Sequence, residues 1–262
     1  MGHTRLGTIP KLRKWDDVVA LFATELPSAA ASDVVGDVAR LTLVAAEPAL
    51  RKVVIDPGMR AAFLLLARTV LAAREPDLPS ALASVGIKLA ADASLFDLTS
   101  QMHGAIDDVT AGRATDVSEM AQRALGEAVT ELASPRAHTL FGTSPDDLKS
   151  SLRELSTKKG FAELGQRFFG HFLARFLNSY LSRVAAAELG VGVARQVGDL
   201  SKFNAQLRHH CVESAAVLRD FCGEWYSKTN YREGINEDNA GRFIAVAVNK
   251  LAAELMRQRA SR

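Results

Sequence analysis

Phe161-Ala162-Glu163-Leu164-Gly165-Gln166-Arg167-Phe168-Phe169-Gly170-His171-Phe172-Leu173-Ala174-Arg175-Phe176-Leu177-Asn178-Ser179-Tyr180-Leu181 is the stretch whose spacing decides the fold class. Placed at about 100° per residue, Phe168, Phe169, Phe172, Leu173, Phe176, Leu177, Tyr180, Leu181 and Val184 cover more than half of a helical circumference. A helix over 161–189 that is buried on most sides follows, with Gly165 and Gly170 as candidate interruptions. The remaining strip, Arg167, His171, Arg175, Asn178 and Ser182, reads as a solvated face, with a basic ridge for a partner as the alternative.

Helical spacing continues outward in both directions. Trp15, Val18, Val19, Phe22 and Leu26 recur at three and four residues and stop before Pro27, which cannot continue a helical ladder. Asp33 opens a second run through Val34, Val38, Leu41 and Ala45. Asp56-Pro57-Gly58 breaks the pattern, and Met59 to Ala73 is apolar on most sides, which places Phe63, Leu66 and Val70 in a core. Asp116-Val117-Ser118-Glu119 reads as a capping box with Asp116 as the cap, opening a helix to Leu132. Ser144-Pro145-Asp146-Asp147 is another helix start. Alternating β-branched runs are nearly lacking, so the expected fold is all-α, a multi-helix globular bundle. Residues 1–14 read as an extended N-terminal arm and 15–262 as a single helical domain, with any subdomain boundary near 134–144.

With 262 residues, 48% hydrophobic and 24% charged, the chain is large enough to bury a core without metals or disulfides. Thirty-two Lys plus Arg against thirty Asp plus Glu leave a net charge of +2, which supplies no global field for nucleic acid or anionic membrane. The longest apolar runs, Ala61 to Ala67 and Ile244 to Val248, are too short for a membrane span of roughly 20 residues. The two cysteines and the lack of a signal peptide point to a reducing cytoplasm.

Chemistry-bearing motifs are sparse. His209-His210-Cys211 with Cys222 invites a metal reading, but adjacent helical residues diverge by about 100° and Cys222 lies roughly 16 Å away at helical rise. Leu207, Cys211, Ala215, Leu218, Cys222 and Trp225 share one stripe instead, which makes both cysteines small core residues. The glycines between Leu189 and Gly198 lack both a preceding strand and the Lys-Ser/Thr of a phosphate loop, and read as a helix break. The acidic pairs Asp16-Asp17, Asp107-Asp108 and Asp146-Asp147 are sequence neighbours, two of them early in helices where the macrodipole favours anions, so capping explains them better than catalysis. No catalytic residue, metal ligand or cofactor site is assigned. A cysteine nucleophile would need a distant base, with His103, His138 and His171 as the candidates, and an enzyme site assembled from distant residues is a further alternative.

Two segments are candidate contact surfaces. The polar, aromatic-bearing run 225–239 reads as a long loop, either with Trp225, Tyr226, Lys228, Asn230, Tyr231 and Arg232 as recognition groups or as a turn that Trp225 and Tyr226 anchor to the core. The arm supplies Arg5, Lys11, Arg13 and Lys14, and also Gly2, a candidate for modification by a partner enzyme once Met1 is removed, although Leu6 lacks the hydroxyl of a myristoylation signal.

Arg5-Leu6-Gly7-Thr8-Ile9-Pro10 leading to Arg13-Lys14-Trp15, and His210-Cys211-Val212-Glu213-Ser214-Ala215 leading to Gly223-Glu224-Trp225-Tyr226-Ser227-Lys228, resemble a family of uncharacterised helical bacterial proteins. The resemblance spans both ends of the chain and implies a single unit. It carries no activity and no site residue. The context it implies is an accessory gene of a bacterial operon, anti-phage defence among the settings. The resulting expectation is a non-catalytic helical interaction or accessory protein with an operon-encoded protein partner. A nucleic-acid-binding protein using Arg167, Arg175, Arg183, Lys158 and Lys159 is the alternative.

Overall fold

The computed structural model describes residues 13–23, 31–90, 92–137, 145–187 and 197–257. Among them the regular elements are all helical: α1 (Arg13–Ala23), α2 (Ala31–Ala45), α3 (Glu47–Val53), α4 (Pro57–Ala72), α5 (Leu78–Ala83), α6 (Leu95–Thr110), α7 (Asp116–Ala137), α8 (Pro145–Leu155), α9 (Lys158–Ala187), α10 (Val197–Ser214), α11 (Arg219–Arg232) and α12 (Glu237–Arg257). A single 3₁₀ turn, Ala215–Leu218, joins α10 to α11. The protein is an all-α bundle, as the spacing predicts. No helix among the described residues is long and apolar enough to cross a membrane.

α9 is the axis of the bundle, and α7, α10 and α11 make their most extensive contacts with it. It runs through Gly165 and Gly170 without a break. These glycines mark close helix approaches. A Cβ on Gly165 would lie 2.5 Å from Cys222 Sγ, and one on Gly170 would lie 2.7 Å from Val212 Cα. The missing side chains let α10 and α11 come closer to α9 than any larger residue allows.

The other faces of α9 meet an aromatic cluster. Phe63 of α4 stacks on Phe243 of α12, with ring centroids 5.1 Å apart, and lies 5.2 Å from Trp225 and 5.4 Å from Phe169. Phe161 stacks on Tyr226 at 4.1 Å. Trp15 of α1 stacks on Tyr180 at 5.3 Å, so the first helix joins the far end of the same axis. One contiguous apolar cluster includes residues from both sides of 138–144, among them Leu125 and Leu148. α7 itself continues through Ser134 and Pro135 to Ala137, so the linker expected from Ser134 onward is helical over its first four residues. A proline in the last turn removes only one ladder bond near the end of the helix.

The start of α7 also differs from the sequence expectation. Thr115, not Asp116, is the cap: its Oγ1 accepts from Ser118 N at 3.0 Å, while Glu119 pairs with Arg123. The hydroxyls of Thr115 and Ser118 donate to Asp56 at 2.6 and 3.0 Å, and Asp56 Oδ1 accepts from Met59 N at 3.0 Å. One buried carboxylate therefore caps α4 and fastens the start of α7 to it. Replacing Asp56 with Ala removes the cap and leaves two hydroxyls without their acceptor, at an expected cost of about 2–3 kcal/mol. Urea melts read this directly. Asp56→Asn, which keeps an acceptor oxygen, should recover part of the loss, and a loss under about 0.5 kcal/mol for Asp56→Ala would contradict the tie.

Candidate binding groove

The run 225–239 is mostly not a loop. Residues 225–232 complete α11, and only 233–236 form the turn before α12. Gly234 has φ of +74°, and Asn236 and Asn239 exchange side-chain oxygens for backbone amides at 3.0 Å each, forming a cap for α12. The helical stripe that runs through Cys211 and Cys222 simply continues to Tyr226 and Thr229, both buried. The polar outer face of this helix gives the sequence its loop-like composition.

The predicted contact residues accordingly separate. Tyr226 is 1% exposed and Trp225 is half-buried in the aromatic cluster, so both are core anchors. Lys228 is exposed and pairs with Glu224 at 2.7 Å, and Lys158 pairs with the same carboxylate. These two lysines hold the Glu224 carboxyl down at about 2. Asn230 is half-buried, whereas Arg232 is exposed and Tyr231 is 91% exposed. Arg13 opens α1 and Lys14 is exposed on it, while Gly2, Arg5 and Lys11 lie outside the described residues, as does His138.

Both cysteines are fully buried, and burial pushes both thiols far up, which suits packing and not nucleophilic chemistry. The adjacent histidines diverge. His210 is half-buried near Gly36, and burial lowers its pKa, while His209 is exposed. Among the described residues no group of three or more His, Cys, Asp or Glu side chains is placed to hold a metal.

The strip on α9 is neither a bare ridge nor a solvated face. Glu127 and Glu131, one turn apart on α7, face Arg167, His171 and Arg175, spaced one turn apart on α9. Arg175 donates to Glu127 through Nε at 3.2 Å and Nη2 at 2.5 Å, a two-pronged contact. Arg167 Nη1 lies 3.3 Å from Glu131. Between them His171, 7% exposed, has Nε2 2.8 Å from Glu131 and Nδ1 3.7 Å from Glu127. The two half-exposed arginine pairs contribute modestly to stability, under about 1 kcal/mol each. Their effect is to fix where the guanidinium groups stand.

The outer edge of this seam lines an open cavity of about 770 Å³. α10 contributes Arg208 and His209, both exposed and without a hydrogen-bond or ion-pair partner among the described residues. α6 contributes His103, whose ring packs against Gly126 and whose pKa burial lowers. Gln122 ties α6 to α7 here, donating to His103 O at 2.8 Å and Asp107 at 2.9 Å. Sequence reasoning found Arg167, His171 and Arg175 and weighed His209 only as a metal ligand, but missed the glutamate partners and Arg208. The available signal was Glu127 and Glu131 at four-residue spacing, matching the spacing of the cations on α9. Comparison with protein-family models, curated proteins and solved structures returned no match to the chain.

Proposed function

We propose that the chain is a non-catalytic helical accessory subunit of a bacterial multi-protein system, and that it engages a protein partner through the groove over α9. One observation carries the reading: Arg123 of α7, Arg167 and Arg175 of α9 and Arg208 of α10 converge on a single open cavity, where Glu127 and Glu131 are the carboxylates among the described lining residues, and Arg208 is the arginine left without a carboxylate partner among the described residues. Ligand pockets of several hundred Å³ with a few fixed polar groups are typical of binding sites.

The chemistry of the groove favours binding over catalysis. His171, its most buried imidazole, has each ring nitrogen turned to a carboxylate, so neither is directed at a substrate proton. The thiols are sealed in the core. A nucleic-acid partner is less well supported, because Glu127 and Glu131 stand among the cations of the cavity and Lys158 is committed to Glu224.

Gentle affinity capture from the native host, with co-purifying proteins identified by mass spectrometry, tests the proposal. Wild-type protein is expected to retain a recurrent partner that the Arg208→Glu/His209→Glu variant loses. Recovery of the bait alone in both cases overturns it.

A further inference from the structure

The groove has a shape as well as a charge. α7 and α10 each pack along α9 and barely touch one another, so α9 forms a floor between two walls. The 770 Å³ cavity adjoins a second of about 530 Å³, and Glu127, His171, Arg175, Ala205 and Arg208 line both. On α9 the joint lining extends from Arg167 to Asn178, about 17 Å at helical rise, and on α10 from Leu200 to Val212, about 18 Å. This trough is far longer than a phosphate or a single carboxylate. It matches about five residues of extended polypeptide.

We infer that the trough receives an acidic peptide segment of the partner, an assignment that rests on the groove being the contact surface. Two features select this occupant. The trough already displays carboxylate recognition: Glu127 and Glu131 hold the α9 guanidinium groups in fixed orientation, and Arg208 and His209 stand at the rim with no carboxylate partner among the described residues. Between the charges lie Ala174, Ala205 and Val212, which leave room for a main chain, with Asn178, Ser201 and Asn204 able to serve its amides and carbonyls.

The same lining disfavours single-stranded nucleic acid. No Phe, Tyr or Trp among the described residues lines either cavity, so bases have no stacking platform of the usual kind. Glu127 and Glu131 oppose an uninterrupted row of phosphates, whereas a peptide can place acidic side chains at Arg208 and His209 and neutral ones beside the glutamates.

The test is selection from a displayed library of random peptides on the immobilised full chain, followed by fluorescence anisotropy with the selected sequences. Sequences rich in Asp and Glu are expected, with affinity falling about tenfold or more in Arg208→Glu/His209→Glu. Lys228→Glu/Arg232→Glu, outside the trough, should bind like the wild type. Both double variants change exposed side chains, and their thermal melts verify folding. Selected peptides without acidic residues, equal affinity in the trough variant, or displacement by oligothymidylate or inorganic phosphate each overturn the inference. If the native host yields a partner that the trough variant loses while no acidic peptide is selected, the peptide assignment fails and the contact surface stands. If the bait returns alone, the contact surface itself fails.

Discussion

Gly170→Val should destabilise the protein by about 4 kcal/mol or prevent it from folding. The nearest atom to the added Cβ is Val212 Cα at 2.7 Å, a backbone atom that no rotamer change can move aside. Relief requires α9 and α10 to separate, which opens the packing on either side of the contact. Even Gly170→Ala should destabilise, although alanine is intrinsically the better helix former. Gly104 of α6 provides the opposite sign: nothing lies within 4 Å of its Cβ position, so Gly104→Ala should stabilise by roughly 0.5–1 kcal/mol. Urea melts of the two alanine variants give the comparison. Stabilisation by both would mean that the helices do not approach as described.

Phe63→Ala is expected to cost about 3–5 kcal/mol. Phe63 is fully buried, and its ring meets Phe161, Phe168, Phe169, Trp225 and Phe243 within 6.1 Å. Truncation removes apolar area and leaves a cavity whose facing rings belong to three other helices, α9, α11 and α12, so no local shift can close it. Phe63→Leu, which keeps most of the volume, should lose roughly 1.5 kcal/mol or less. Trp225 sits against the site, so its near-ultraviolet circular dichroism should change in Phe63→Ala along with the melt. A loss below about 1.5 kcal/mol for the alanine variant would contradict this account of the core.

The fold class was legible because burial imposes a period on apolar residues, and the strip from Phe161 to Leu181 shows that period without ambiguity. Glycine and polar composition misled in opposite ways. Gly165 and Gly170 look like helix breaks when only local propensity is considered, but their role depends on Cys222 and Val212, which sequence does not place beside them. Residues 225–232 look like a loop because α11 exposes a polar face, while the deciding signal is the inward spacing of Cys222, Tyr226 and Thr229. Half of the candidate groove was visible as the Arg167, His171 and Arg175 strip. The other half depends on α7 and α10 flanking α9, a matter of helix arrangement that no single segment encodes.

The aromatic cluster also constrains biosynthesis. At roughly 5–20 residues per second, Phe63 leaves the ribosome about 10–40 seconds before Phe243, the ring it stacks on. Throughout that interval the apolar face of α4 lacks its final cover, and the chain behind it cannot close its core. A message cut short before α12 therefore yields a product whose central phenylalanine lacks the ring it stacks on.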